Sequence, residues 1–379
     1  MSDLDLWGRI RTGDWLDAQT FPALRYAVPG IIPEGFGLLA APPKAGKSWL
    51  SLGILLDVAD GAPALGALET GPPRPVLYLA LEDGDRRLQS RARQLLGAGR
   101  PIPARFSYLT DAQPTEVPGL IREWLDVHGD SSPLVVLDTL GKVLPPAKPG
   151  DGAYSRDYQV GGALKRLVDE KPGATLLAVH HTRKAGSEDF MDSVSGTNGL
   201  NGAADFTLVL TRSRNDDRGV LKVTGRDVIE AEYALTVTEG RWTLDGGSLP
   251  AAATAAETAR ATAGVDTGMA EVIRLVMDAP EPVTASFVAA ALDLSDNQAR
   301  TYLNRAVEAE RIARPSRGKF APIARSEPPV MSVSSVPNQH DGAPAHNNDT
   351  HDTPSPGESL FCPECGEPDC SGDCWEAER

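Results

Sequence analysis

One stretch, GFGLLAAPPKAGKSWLSL at residues 35–52, constrains the fold more than any other part of this sequence. It begins with an apolar run at residues 36–40, which predicts a short buried strand, and a helical pattern starts at Trp49. The loop between them ends in Gly-Lys-Ser, so strand, loop and helix occur in the order that a phosphate-binding P-loop requires. The alternative is a Gly-Lys-Ser that begins a helix by chance, and the complete context argues against it.

The order of residues in this loop predicts how it would hold ATP. Backbone N–H groups of the loop and of the helix N-terminus form a nest for phosphate oxygens. Lys47 is expected to reach the β- and γ-phosphates, and the Ser48 hydroxyl to ligate Mg²⁺. Ala41 replaces the usual first glycine of the motif, so a slightly different turn is expected there. The predicted nucleotide-binding residues are Pro42, Pro43, Lys44, Ala45, Gly46, Lys47, Ser48 and Trp49.

Apolar strand patterns alternate with helical patterns through residues 36–212. Such repeated βαβ units predict an α/β fold with a mainly parallel sheet and helices on both faces. Residues 220–227 and 233–245 are typical of hairpin strands at the sheet edge. We therefore expect an N-terminal helix or arm packed on the core at residues 1–30 and a P-loop domain at 31–245. An Ala/Thr/Gly-rich linker, with partial helix as an alternative, is expected at 246–266.

Residues 267–324 predict a second, small domain of three helices followed by a β-hairpin, which is the order of a winged helix-turn-helix. Residues 295–320 contain six basic and three acidic residues, in an otherwise acidic chain. This local positive balance favours duplex DNA as a partner, and a protein-interaction domain is the alternative. The basic residues are Arg300, Arg305, Arg311, Arg314, Arg317 and Lys319.

The tail is expected to be a disordered linker at residues 325–360, because it is rich in Pro, Ser, Asn and Asp, followed by a cysteine cluster at 361–379. The cluster contains all four cysteines of the chain: Cys362, Cys365, Cys370 and Cys374. Their spacing suits Zn²⁺ better than disulfides in a reducing compartment, so a small zinc knuckle is predicted. A disordered tail with reduced thiols is the alternative.

Composition narrows the class of protein. The chain has 379 residues and a net charge of -15, which argues against a surface coated entirely with nucleic acid. No apolar run approaches the roughly 20 residues of a membrane span, so no membrane partner is expected. The N-terminus lacks the apolar segment of a signal peptide, and a cytoplasmic protein is therefore expected.

Polar residues end three of the predicted strands, where ligands bind in open α/β sheets. Asp138 closes the strand at 134–138 and is expected to hold Mg²⁺ as a Walker B aspartate. Glu82 or Asp83 could deprotonate the attacking water, and capping of the following helix is the alternative. His180 and His181 end a third strand. A histidine there could sense the γ-phosphate by hydrogen bonding, or it could have its hydrogen bonds satisfied in the core or be exposed to solvent.

Together these motifs resemble the RepA-type hexameric helicases and the related AAA-labelled, RecA-fold ATPases of plasmids, phages and actinobacteria. The resemblance rests on VPGIIPEG before the P-loop, LALED, LDTL, and HHTRK followed by DSVSGTNGLNGAAD, and it covers roughly residues 25–230. It implies a RecA-like core. It also implies Glu82 as general base, His180 as γ-phosphate sensor, and Lys47, Ser48 and Asp138 as the Mg-ATP ligands.

The same resemblance implies a hexameric ring with nucleotide sites between subunits. Arg212, at the end of FTLVLTR, matches an arginine finger that reaches a neighbour's nucleotide, with Arg214 and Arg226 as the next candidates. Loops at residues 141–158 and 183–201 match those that grip single-stranded DNA. A replicative helicase or related motor is the first hypothesis for function. A RecA/RadA-like recombination or repair ATPase and a nucleotide-gated DNA-binding regulator are the alternatives.

Overall fold

The computed structural model describes residues 10–144, 153–181, 199–213 and 216–323 of the chain. These residues belong to one compact unit, which spans residues 1–328. The predicted linker at 325–360 and the cysteine cluster therefore lie outside the described residues. So do most of the two loops matched to single-stranded DNA binding.

A nine-stranded sheet forms the centre of the molecule. Its strand order is β11-β10-β9-β8-β3-β7-β6-β4-β5. The six strands from β8 to β5 in this order are parallel, whereas β9, β10 and β11 each pair antiparallel with their neighbours. This confirms the predicted α/β core with a mainly parallel sheet. The strands are β3 (Gly35–Ala41), β4 (Val76–Ala80), β5 (Phe106–Leu109), β6 (Leu134–Asp138), β7 (Thr175–His181), β8 (Phe206–Arg212), β9 (Arg218–Gly225), β10 (Ala231–Thr238) and β11 (Arg241–Leu244). A separate short hairpin, β1 (Tyr26–Val28) and β2 (Ile32–Pro33), precedes them.

Two apolar cores cover the two faces of the sheet, because successive side chains of a strand point to opposite faces. Leu39 and Ala41 face one core together with the helices α2 (Lys47–Asp60) and α3 (Asp85–Leu96). Leu38 and Ala40 face the other core together with α4 (Val117–His128) and α5 (Ala153–Asp169). A short helix, α6 (Gly199–Ala203), leads into β8.

The segment expected to be a linker is helical for most of its length. Helix α7 (Leu249–Thr262) begins at Ser248, whose hydroxyl accepts a hydrogen bond from the Ala251 N–H. Ala252 and Ala256 are buried where the helix packs against β10. Alanine is the best helix former, so this alanine-rich segment forms a helix that packs once a partner surface is available.

Three helices and a hairpin follow: α8 (Thr267–Asp278), α9 (Ala285–Ala291), α10 (Asp296–Glu308), β12 (Ala313–Ser316) and β13 (Lys319–Ala321). Their buried residues, among them Val272, Val288, Leu303 and Phe320, form a third core. Ser295 begins α10 with a capping box to Gln298, a helix-start signal that residues 295–298 carry in the sequence itself.

Only the last residues of the described arm lie in the core, where Ala27 and Val28 are buried. The helix of the arm, α1 (Gly13–Asp17), buries no residue, and Trp15 and Phe21 are 40% and 64% exposed. A helix of five residues is too short to present a continuous apolar stripe to a partner surface. Within the described ranges, none of the helices has the length and apolar character needed to cross a membrane.

Candidate active site at the P-loop

The loop between β3 and α2 has the backbone geometry of an anion site. Gly46 occupies the N-cap of α2 at φ 101°, and Lys44 also has a positive φ, of 69°. The first N–H groups of a helix have no intrahelical acceptor, so those of α2 are available to phosphate oxygens. Ala41 is the last residue of β3 and does not have a positive φ, so the usual first glycine is not required there.

Lys47 is held at the base of this loop. Its side chain is 7% exposed, and Nζ lies 3.2 Å from Nδ1 of His181. Of the two adjacent histidines, His181 is thus the one in contact with the P-loop lysine. His181 pairs with Ala41 in the sheet register and lies on the α2 side, whereas His180 pairs with Ala40 on the other side.

A small cavity of about 120 Å³ brings together the residues predicted to handle magnesium and water. Ser48, Glu82 and Asp138 line it, with Tyr78 at its buried side. The Tyr78 hydroxyl donates a hydrogen bond of 2.9 Å to Oδ2 of Asp138. Burial, together with the Asp138 charge, raises the pKa of Tyr78, so this group remains a donor.

The donor set of this cavity fits a magnesium ion. Asp138 is 3% exposed, and its Oδ1 is buried without a hydrogen-bond partner. An unpaired buried carboxylate oxygen is costly, and a cation bound there would satisfy it. The Ser48 hydroxyl lies on the same cavity, and oxygen ligands are those that Mg²⁺ prefers. Elsewhere, among the residues placed by the structure, no group of three or more His, Cys, Asp or Glu side chains is arranged for a metal.

Glu82 and Asp83 have different environments. Asp83 is 9% exposed and forms ion pairs with Arg87 at 3.1 Å and Arg91 at 2.6 Å. Glu82 is exposed and lies on the small cavity. The capping interpretation is wrong, because Gly84 is the N-cap of α3 and no side chain caps it. Glu82 is therefore the carboxylate left available to an attacking water.

A larger cavity of about 680 Å³ opens on the other side of the P-loop, between it and the hairpin of β10 and β11. Trp242 closes its base and donates from Nε1 to the Gly46 carbonyl at 3.3 Å. Arg212 lines the same cavity, with its guanidinium 5.7 Å from the centre of the Trp242 ring. Its Nε is buried without a hydrogen-bond partner. Arg212 thus lies beside the P-loop of its own chain.

The other two arginine candidates are less free or not described. Arg226 pairs with Asp205 at 3.4 Å and donates to the Gly202 carbonyl. Arg214 lies outside the described residues.

Sequence patterns did not single out three residues of this site, Tyr78, Arg91 and Trp242, and they named His181 only together with His180. His181 could have been chosen over His180 from strand alternation, given that α2 covers the Val179 face. Tyr78 and Trp242 have the sequence pattern of ordinary core aromatics, and Arg91 is one of several charges on an exposed helix. Only the fold brings these three to the P-loop.

The P-loop region matches one family model, and solved structures resemble part of the chain. Residues 9–187 match the model of the family described as AAA domain. A solved structure of an isolated ATPase domain matches 55% of this chain and 84% of its own, at 17% identity and a TM-score of 0.44. A DnaB-like replicative helicase, studied with its primase, matches at the same identity and TM-score, and this chain spans 57% of its length. A KaiC-like protein of Pyrococcus horikoshii OT3 matches 57% of this chain and 93% of its own, at 11% identity and a TM-score of 0.40.

Proposed function

We propose that this protein, whose residues 9–187 match the AAA domain family, is an ATP-hydrolysing, DNA-acting motor of the replicative helicase kind. One observation carries the catalytic part of the proposal: Ser48, Glu82 and Asp138 line a single cavity beneath the P-loop.

Each residue of the site has a distinct chemical task in this proposal. Lys47 and the N–H groups of α2 hold the β- and γ-phosphates. Ser48 and Asp138 would hold Mg²⁺, which neutralises charge that develops on the phosphates. Glu82 accepts the proton of the attacking water. His180 remains the proposed γ-phosphate sensor, and His181 orients Lys47 through their 3.2 Å contact.

We also propose that the subunits form a ring in which Arg212 completes the neighbouring site. A guanidinium delivered to a transferring phosphoryl group stabilises its charge in the transition state. Arg212 is at the carboxyl end of β8, next to the P-loop strand, and its Nε has no partner within the described part of the chain. Action in cis on its own nucleotide is the competing assignment, since Arg212 also lines its own cavity.

The three C-terminal helices and their hairpin are proposed to act as a winged helix-turn-helix that binds duplex DNA. Between residues 295 and 320, five basic side chains are exposed: Arg300, Arg305, Arg314, Arg317 and Lys319. Arg311 is excluded, because its Nη1 donates to the carbonyls of Ala261 and Ala263. Arg300 and Arg305 lie on α10, which would enter the major groove. The basic side chains of the β-hairpin would contact phosphates.

Replacing two exposed basic side chains by alanine tests the DNA contact. The double variant Arg300→Ala, Arg317→Ala should weaken duplex binding. It should also make the negative slope of log affinity against log salt shallower, by about 1 per lost phosphate contact. Arg122→Ala, an exposed arginine on α4, is the control and should bind like the wild type. Equal affinity of the wild type, the double variant and Arg122→Ala for duplex DNA would contradict the proposal that this region binds DNA.

For the tail, zinc binding by Cys362, Cys365, Cys370 and Cys374 is proposed from sequence spacing alone. Deleting residues 325–379 should remove bound zinc, measured by elemental analysis, and leave ATP turnover intact. Zinc absent from the intact protein purified without chelator would favour a tail with free thiols.

ATPase rates with and without single-stranded and duplex DNA test the main proposal. Stimulation by DNA, combined with displacement of an annealed strand, is expected for a helicase. Filament formation and strand exchange would instead indicate a recombinase, and tight duplex binding without stimulation would indicate a regulator. Lys47→Ala should abolish turnover, because it removes the P-loop cation from the γ-phosphate. Near-normal hydrolysis by Lys47→Ala would reject the P-loop assignment.

A further inference from the structure

The segment that carries Glu82 has few restraints of its own. It follows β4, and its backbone is tied by the Leu81 N–H to the Asp138 carbonyl at 2.8 Å and by the Asp83 N–H to the Ala80 carbonyl at 3.0 Å. Across the described ranges, the Glu82 carboxylate makes no hydrogen bond or ion pair. The neighbouring Asp83 side chain is the anchored one, through its ion pairs to α3. The place of Glu82 over the cavity therefore depends on what holds Asp83.

Arg91 holds Asp83 and touches the P-loop helix as well. Its Nη1 donates to Asp83 Oδ2 at 2.6 Å, and its side chain is 24% exposed. Its guanidinium also lies 5.3 Å from the centre of the Trp49 ring, in the first turn of α2. Arg91 accordingly lines both the small magnesium-side cavity and the larger cavity beside the P-loop.

Trp49 gives this contact a rigid support. The turn between β10 and β11 lies against its ring, so close that a Cβ at Gly240 would be 2.3 Å from Trp49 Cε3. A guanidinium over an aromatic face in a partly buried place is a specific, oriented contact. The connection runs from the P-loop helix through Trp49 and Arg91 to Asp83.

We propose that Arg91 is a positioning residue that fixes the Glu82 segment against the P-loop helix, acting through Asp83 and Trp49. The inference rests on the proposed ATP hydrolysis with Glu82 as general base. General-base catalysis needs the carboxylate within hydrogen-bond reach of the water, and a displacement of about 1 Å can cost on the order of 100-fold in rate. Arg91 supplies that restraint without itself taking the proton.

Arg87 provides a matched control, because it is the other partner of Asp83. It comes from the same helix and pairs with the same carboxylate, but its side chain is 64% exposed, and no aromatic contact to Trp49 accompanies its ion pair in the described structure. An exposed i,i+4 ion pair contributes little. Arg87→Ala and Arg91→Ala therefore remove the same kind of ion pair, and only the second disconnects Asp83 from the P-loop helix.

The test measures kcat and the affinity for a non-hydrolysable ATP analogue in the full-length protein. Arg91→Ala should lower kcat by about 10- to 100-fold with analogue affinity within about threefold of the wild type, whereas Arg87→Ala should lower kcat by less than about threefold. Arg91→Lys should recover part of kcat, since lysine keeps the charge but not the planar contact with Trp49. Equal kcat values for Arg91→Ala and Arg87→Ala would overturn the proposal.

Single-turnover rates in a Glu82→Gln background separate positioning of Glu82 from a general structural role. Once the general base is absent, adding Arg91→Ala should slow the residual reaction by less than about twofold, because pair effects that act through one group are not additive. The same 10- to 100-fold loss in that background would show that Arg91 acts independently of Glu82. If Lys47→Ala hydrolysed ATP at the wild-type rate, the proposed hydrolysis at the P-loop would itself be rejected. Failure of the proposed function is therefore distinguishable from failure of the Arg91 proposal.

Discussion

At the scale of single residues, neighbouring carboxylates have opposite surroundings. Asp83 is held by two arginines, whereas Glu82 lies free at the rim of the small cavity. Glu82→Gln should bind ATP but hydrolyse it about 10²- to 10⁴-fold more slowly, since the amide keeps the shape but cannot accept the proton. Steady-state turnover and analogue binding measure the two effects separately. An active Glu82→Gln together with an inactive Asp83→Asn would exchange the roles.

Asp57 supplies a pH prediction on helix α2. Burial outweighs its hydrogen bonds to Arg241 at 3.0 to 3.1 Å and raises the pKa of Asp57 to about 6. Arg100 lowers this pKa and Asp60 raises it, by smaller amounts. The native state therefore keeps this proton at a pH where the unfolded state has lost it.

The free energy of unfolding contributed by Asp57 should fall as pH rises from about 4 to about 6, by about 3 kcal/mol at most, and stay constant above that. Urea unfolding at several pH values should show this slope in the wild type and not in Asp57→Asn. Asp60→Asn, which removes a neighbouring carboxylate that is 43% exposed, is the control and should keep most of the slope, because Asp60 is the smallest of the causes that act on the pKa of Asp57. Parallel pH profiles for wild type and Asp57→Asn would contradict the prediction.

At the scale of elements, the hairpin of β10 and β11 is the part of the site furthest in sequence from the P-loop. Arg241 pairs with Asp57 at one end of α2, and Trp242 donates to Gly46 at the other. The turn at Gly240 lies against Trp49. The hairpin therefore holds the P-loop helix along its length and forms one wall of the larger cavity.

Gly240→Ala tests this element against Gly247→Ala. Both glycines have a positive φ, of 88° and 68°, so both variants share the backbone strain. A Cβ at Gly240 meets Trp49, whereas one at Gly247 meets nothing within 4 Å. Gly240→Ala should lower the free energy of unfolding by about 1–3 kcal/mol more than Gly247→Ala, the cost of overpacking. It should also weaken ATP-analogue binding, and equal effects of the two variants would show that Trp49 moves aside freely.

At the scale of the whole molecule, the sheet order assembles the site. The parallel strands β3, β4, β6, β7 and β8 all end at one edge, so Ala41, Asp138, His181 and Arg212 meet there. Arg212 comes from the strand on the far side of β3 from Glu82. Such a placement suits an arginine that completes a site between two copies of the chain, which is a prediction about assembly.

Mixing variants tests that assembly. Arg212→Ala should bind ATP and hydrolyse it poorly, because an arginine finger stabilises transition-state charge rather than the fold. Glu82→Gln subunits keep Arg212, and Arg212→Ala subunits keep Glu82, so a mixed ring contains some complete sites and should regain part of the activity. Absence of recovery, with subunit exchange verified by mass measurement, would place Arg212 in cis. A protein that stays monomeric with ATP, Mg²⁺ and DNA would overturn the ring.

The sequence by itself determined the parts of this protein that local chemistry specifies. The P-loop, the strand that ends in Asp138, the Glu82 segment and the helix start at Ser295 are each contiguous, so their residues carry the signal without knowledge of the fold. At residues 246–266 the sequence left the extent of helix open, and burial decides it: the alanine-rich segment forms a helix because β10 offers an apolar surface.

Only the tertiary structure decided which distant side chains meet. Trp242 and Gly46 are 196 residues apart in sequence, and Lys47 and His181 are 134 apart, yet both pairs are in hydrogen-bond contact. The strand order and register choose these neighbours, and a shift of one residue in β7 would have presented His180 to Lys47 instead of His181. Local sequence fixes which groups exist and the backbone that holds them, whereas sheet pairing fixes the faces and distances on which the proposed chemistry depends.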